Sequence, residues 1–183
     1  MRALRETYFP GDEPEIEIID GRRVAKMSPR RRHGVLQGIL VSMLRDWSGR
    51  RGTVATEWRF HVSGAPGRKN SYVPDVAYLS AERLLSLSAD QAEEPPFAPD
   101  VAIEIHSPGD RDPNVARKVE RYLEYGSKLV LDVRPASRTI VAYDPRGKRI
   151  FTEAELFEHE ALPGFRFPVA DLFAEADPPT PST

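Results

Sequence analysis

The chain has 183 residues, a length that favours one domain able to bury a core without staples. Apolar residues make up 40% and charged residues 30%, and there is no cysteine, which excludes disulfides, thiolate metal sites and thiol catalysis. No apolar run approaches the roughly 20 residues of a membrane helix, and Met1 to Pro10 lacks the apolar stretch of a secretory signal, so a cytoplasmic protein with no membrane partner is expected. The net charge of −2 hides an asymmetry: residues 1–70 carry 14 Lys/Arg against 8 Asp/Glu, and the remainder 12 against 20. A basic first part can face phosphate while a local acidic pocket holds cations, although a plain solvated surface gives the same counts.

Glu15 to Ile19 alternates like a strand, Asp20-Gly21 supplies a tight turn, and Arg22 to Met27 returns. Ser28-Pro29 can open a helix, predicted over Arg31 to Trp47, with Leu36, Leu40, Leu44 and Trp47 on one face and His33 on the same stripe. Thr53 to Val62 and Ser71 to Leu79 read as strands around a turn at 64–70. A short helix is expected at Ala81 to Leu87 and a loop rich in acid and proline at Ala89 to Pro99. Asp100 to His106 is a buried strand, Asn114 to Tyr125 a helix stopped by Gly126, and Lys128 to Val133 a second apolar strand, a unit that makes parallel neighbours. Thr139 to Tyr143 and Arg149 to Thr152 form a hairpin, Phe157 to Phe167 adds short pieces, and Val169 to Phe173 a final turn. The expected architecture is a single α/β domain over 1–176, a central mixed sheet with an N-terminal β-hairpin and a C-terminal β extension. Residues 177–183, rich in Pro, Ser and Thr, are expected to be a disordered tail.

Glu104 is the informative anomaly, a carboxylate inside Val101-Ala-Ile-Glu-Ile105. A buried carboxylate is expensive unless paired or metal-bound. Asp75 is a second case, following Pro74 and opening Val76-Ala-Tyr-Leu79. Two acids on neighbouring strands can share a divalent cation such as magnesium, which often takes one or two carboxylates plus waters. A turn cap at Asp75 and an ion pair at Glu104 explain the same residues equally well. On the Asn114 to Tyr125 helix, Val115, Lys118, Tyr122 and Tyr125 form one stripe, so Lys118 is the charged residue aimed at the sheet. Its ammonium can orient a water or neutralise developing charge, or it can snorkel to solvent.

The order Val73-Pro-Asp75-Val-Ala-Tyr, Pro99-Asp-Val-Ala-Ile-Glu104-Ile-His-Ser-Pro108, Arg117-Lys118-Val-Glu-Arg-Tyr122-Leu-Glu-Tyr-Gly126 resembles a large bacterial family of restriction-endonuclease-like proteins in the PD-(D/E)xK nuclease superfamily. Asp20-Gly21, Met27-Ser-Pro29, His33, Leu162-Pro-Gly-Phe165 and Asp171-Leu-Phe173 fit the same pattern, so the resemblance covers roughly residues 15–173. It implies a restriction-endonuclease-like fold and metal-dependent phosphodiester hydrolysis, with Asp75, Glu104 and the Ile105 carbonyl holding Mg²⁺ or Mn²⁺. The superfamily's usual lysine, two residues after the glutamate, is His106 here, and Lys118 matches a migrated position, where it would position or deprotonate the nucleophile. His33 and Gln37 are candidate replacements for the acid that the first helix often adds, since that helix has only Asp46 near its far end; Glu57 is a further accessory candidate. The expected partner is nucleic acid, DNA in the first instance, with a homodimer suited to cleaving both strands of a duplex. Two rivals stand beside the nuclease: a catalytically silent nucleic-acid or protein-binding module on the same fold, and an enzyme acting on another phosphate substrate.

Overall fold

The computed structural model describes residues 16–19, 21–25, 30–63, 69–107 and 112–178. The expected features at Asp20, at the Ser28-Pro29 helix start, at the hairpin tip 64–68, at the strand break 108–110 and at 179–183 lie outside these residues.

The central sheet has six strands in the order β10-β9-β8-β7-β6-β3. These are β3 (Gly52–Thr56), β6 (Val76–Ser80), β7 (Val101–Ile105), β8 (Leu129–Arg134), β9 (Thr139–Asp144) and β10 (Gly147–Phe151). β7 and β8 run parallel and the other pairs antiparallel, which makes the sheet mixed. The parallel pair arises because a helix, α4 (Asp112–Glu124), connects its strands, as the spacing predicts. A second sheet, β2-β1-β5-β4, contains β1 (Ile16–Ile19), β2 (Arg22–Ala25), β4 (Phe60–Ser63) and β5 (Lys69–Tyr72).

The two long strands expected at Thr53 to Val62 and Ser71 to Leu79 are each broken in the middle. Glu57 adopts φ +51°, a left-handed conformation that ends β3, while Val73-Pro74-Asp75 separates β5 from β6. The pairing nevertheless keeps one register on both sides: Thr56 faces Val76 in the first sheet, and Phe60 faces Tyr72 in the second. The four strands are thus one antiparallel ribbon that turns a corner and changes sheets there.

The helix α1 (Arg31–Ser48) buries Leu36, Leu40 and Leu44 against one face of the main sheet, where Val76, Tyr78, Val101, Ile103 and Leu131 meet them. On the other face α4 sets Val115, Val119 and Tyr122 against Ala102 and Val130. Two expectations are corrected. The loop at Ala89 to Pro99 begins with a helix, α3 (Ala89–Glu93), held by a Ser88–Gln91 capping box, after the short helix α2 (Ala81–Leu85). The turn at Val169 to Phe173 is a full helix, α5 (Val169–Ala176), following the two-stranded pair β11 (Leu156–Glu158) and β12 (Arg166–Pro168); Leu172 and Phe173 of α5 complete the α1-side core. Arg31 donates to the Ala176 carbonyl at 2.8 Å, and Asp177 takes Arg32 at 3.1 Å and Arg138 at 2.7 Å.

Two glycines separate close packing from open helix. A Cβ at Gly52 would sit 2.4 Å from the Leu79 carbonyl and 2.5 Å from the Tyr78 ring, whereas one at Gly38 in α1 meets nothing within 4 Å. Gly52→Ala is expected to cost about 1–3 kcal/mol through overpacking, and Gly38→Ala to gain about 0.4–1 kcal/mol. Urea denaturation checks both, through opposite shifts of the midpoint at unchanged slope.

Candidate active site

Three elements that are distant in sequence meet where β6 begins and β7 ends. The ribbon corner delivers Asp75, one step before the Val76–Ile103 pair, so it lies opposite Glu104 in the register. Asp75 Oδ2 accepts the Ile105 backbone N–H at 2.6 Å, which ties the corner to β7. Glu104 lies on the α4 side of the sheet, as does Ala102 two residues earlier, and is buried. Lys118 Nζ donates to Glu104 Oε2 at 2.6 Å, and the Tyr122 hydroxyl donates to Oε1 at 2.8 Å. The i, i+4 spacing of Lys118 and Tyr122 puts both donors on one helix face, over one carboxylate.

A further acid joins from the small sheet. Glu17 of β1 is 3% exposed, and its Oε1 accepts Lys118 Nζ at 2.9 Å and the Val73 backbone N–H at 2.9 Å. Burial opposes the Lys118 charge, but Glu104 and then Glu17 outweigh it, and the pKa is raised far above the ordinary lysine range. Lys118 is therefore held as a cation and donor between two carboxylates. Burial, reinforced by the charges of Glu104, Glu17 and Asp75, pushes the Tyr122 hydroxyl well up, so it too keeps its proton.

The accessory residues divide into two groups. His33 Nε2 lies 3.6 Å from Asp75 Oδ1, and its Nδ1 is 3.1 Å from Ser107 Oγ. Gln37 donates to the Asp75 carbonyl at 2.8 Å and to Glu57 Oε1 at 2.9 Å. His33, Gln37 and Glu57 thus line the Asp75 side of the corner. His106 is engaged elsewhere: its Nε2 is 2.9 Å from Asp132 Oδ1, whose other oxygen takes Arg134 Nε at 2.8 Å and Nη2 at 2.7 Å. At Glu104 the cation is Lys118.

Sequence reasoning missed Glu17 and Asp132. Asp132 is wholly buried in Leu129-Val-Leu-Asp-Val133 and carries the same signal that singled out Glu104. Glu17 carried no such signal, since a glutamate alternating with isoleucines looks like the solvent face of a hairpin strand. In the fold Glu17 and Ile19 are buried, while Ile16 and Ile18 are half-buried.

A family model described as Putative restriction endonuclease, Uma2, matches residues 4–170. The chain belongs to the Uma2 family. The Uma2 match takes in Glu17, Asp75, Glu104, His106 and Lys118, and it supports a nuclease-like function. Among solved structures, a chain described as a putative nuclease belonging to DUF820 from Anabaena variabilis ATCC 29413 superposes with a TM-score of 0.80 at 24% identity. The match covers 92% of this chain and 94% of that one, and it establishes that this Uma2 chain shares the fold. No curated protein matches.

Lys118→Met would leave Glu17 and Glu104 without their shared counter-charge, and the expected loss of stability at neutral pH is about 3–5 kcal/mol. Folding raises the Lys118 pKa above its ordinary 10.5, so this contribution is complete below pH 10.5 and fades only as pH climbs through the higher folded value. Denaturant melts of both proteins should show a gap that does not close between neutral and mildly alkaline pH. A gap that closes near neutrality would contradict the pairing.

Proposed function

We propose that the chain is a metal-dependent nuclease that hydrolyses phosphodiester bonds of nucleic acid, DNA in the first instance. The observation that carries this reading is the convergence of Asp75, Glu104 and Lys118, from three separate elements, on one buried corner. Family membership supplies the reaction class.

The donor set fits a hard divalent cation. Asp75 and Glu104 offer carboxylate oxygens, which can each accept more than one partner, and the Ile105 backbone lies against Asp75. Among the described residues no group of three or more His, Asp or Glu is arranged to hold a metal. Mg²⁺ or Mn²⁺ does not require one, because magnesium commonly takes one or two carboxylates plus waters. Such an ion, held by Asp75, Glu104 and the Ile105 carbonyl, would supply Lewis acidity toward the phosphodiester and its attacking water. The remaining work belongs to side chains. Lys118 keeps its proton and offers positive charge and a donor where anionic charge develops. Tyr122 holds the second oxygen of Glu104 and so fixes the carboxylate's plane. Gln37 pins the Asp75 backbone, and His33 borders its carboxylate on the α1 side. Two such sites related by a two-fold axis would serve the two strands of a duplex, which is why a homodimer belongs to this reading.

One observation favours a catalytically silent binding module. Both Glu104 oxygens already hold internal donors, so the corner is partly self-neutralised. Calorimetric titration with Mn²⁺, run beside a cleavage assay on duplex DNA, single-stranded DNA and RNA, separates the readings. The expected result is Mn²⁺ binding and slow cleavage, both lost in Asp75→Ala and in Glu104→Ala. Lys118→Ala is expected to lower the cleavage rate by about 10²–10³-fold without weakening Mn²⁺ binding. Folded wild-type protein that neither binds Mn²⁺ nor cleaves would leave the binding module as the better account.

A further inference from the structure

We propose that the groove between β3 and the α2–α3 segment binds a nucleobase lifted out of its stack, with the ring on Trp58 and an exocyclic amino group on the Glu93 carboxylate. The inference rests on the nuclease reading above for its substrate class, and it names the part of that substrate beside the cut.

The groove has a volume of about 590 Å³, within the roughly 300–1,000 Å³ of small-molecule sites. Ala55 of β3, Leu84 of α2 and Ala92 of α3 give it apolar walls, and Trp58 joins its lining just after β3 ends. It adjoins the candidate active site. Gln37 donates to Glu57 Oε1 at 2.9 Å and to the Asp75 carbonyl at 2.8 Å, so one side chain ties the groove's lining to the Asp75 corner. Glu57 itself turns at φ +51°, which costs a non-glycine residue conformational energy, and strain of this kind concentrates at functional sites.

The lining selects a base over a phosphate. Carboxylates repel phosphate, and Glu57, Glu93 and Glu94 all border the groove. Glu94 is met by Arg59 and His61. Glu93 is exposed, and its backbone carbonyl accepts Trp58 Nε1 at 2.8 Å, which fastens this residue beside the indole. The wholly buried Phe60 supports the Trp58 ring, with 4.9 Å between centroids. An indole face stacks with any base. A carboxylate only accepts, so it suits the amino group of cytosine or adenine and rejects the carbonyl that thymine and uracil carry there. Ring face and edge are both open to protein only when the base is single-stranded or flipped.

The test uses nucleosides, which carry no phosphate and report on the groove alone. Cytidine, adenosine and uridine are titrated into the isotope-labelled full chain in EDTA, and NMR follows the indole N–H of each of the two tryptophans. The Trp58 signal is expected to shift with all three. The Trp47 signal is expected to stay, its ring being packed on Tyr78 and Phe165. Cytidine and adenosine are expected to bind about 10-fold more tightly than uridine. Trp58→Leu is expected to weaken all three by about 10-fold. Glu93→Lys, which exchanges an acceptor for a donor at an exposed position, is expected to reverse the preference toward uridine. Should Trp58→Leu not fold, the Glu93→Lys reversal decides alone.

Nucleosides that leave the Trp58 signal unmoved would overturn the inference. So would binding without preference, or a preference that survives Glu93→Lys. None of these outcomes involves metal or cleavage, so each leaves the nuclease reading intact. Wild-type protein that binds nucleosides as expected, yet neither binds Mn²⁺ nor cleaves, would remove the nuclease reading and leave the base to a binding module.

Discussion

Taking a charged side chain out of water costs several kcal/mol even after relaxation, and this protein does so three times within one hydrogen-bonded cluster. Lys118, Glu104 and Glu17 are each less than a tenth exposed, and the ammonium between the two carboxylates makes the arrangement tolerable. Much of the surrounding structure serves that contact. Helix α4 has to lie across the sheet so that Lys118 and Tyr122 both reach Glu104. Strand β1 has to pair with β5, through Ile18 and Ser71, so that Glu17 reaches over the corner. The corner itself is tied down by Val73 N–H on one side and by Asp75 accepting from Ile105 on the other. Removing the ammonium would therefore disturb two sheets and a helix together.

Legibility from sequence followed the physics of burial. Glu104 stood out because an apolar strand gives a carboxylate nowhere inexpensive to go, and Lys118 because helical periodicity fixes which way it points. Asp132 offered the same clue as Glu104 and pairs with His106 and Arg134. Glu17 could not be found this way. On a hairpin strand the alternation of Glu with Ile has an obvious orientation, and the fold adopts the other one because the ammonium waits on the glutamate side. The sheet order was legible where a helix connects parallel strands. It was not legible at the ribbon corner, where a glutamate in a left-handed conformation and a proline-containing break interrupt the pairing together and leave its register unchanged. Each break looks minor alone, and strand propensity runs straight through Thr53 to Val62.

Part of the basic character of residues 1–70 fastens the fold. Arg31 holds the C-terminal end of α5 and Arg32 pairs with Asp177. Arg59 donates to the Ile16 carbonyl and to Ser71 Oγ, and Arg51 lies over the Trp47 ring. These guanidinium groups fasten elements that sequence distance would otherwise leave apart. Arg22, Arg23, Arg30, Arg45 and Arg50 are exposed, and a long polyanion would have to be met by side chains such as these.

The bent ribbon has a mechanical meaning. Its two arms belong to different sheets but keep one register across the break, so the corner is a pin common to both. Asp75 sits on the pin, Glu104 on one leaf and Glu17 on the other, while Lys118 spans the gap like a strut. A tilt of one leaf against the other would stretch or compress that strut together with the shared cluster of Ile19, Tyr72, Ala102, Val119 and Tyr122. The distance between the two carboxylates thus doubles as a gauge of the angle between the sheets.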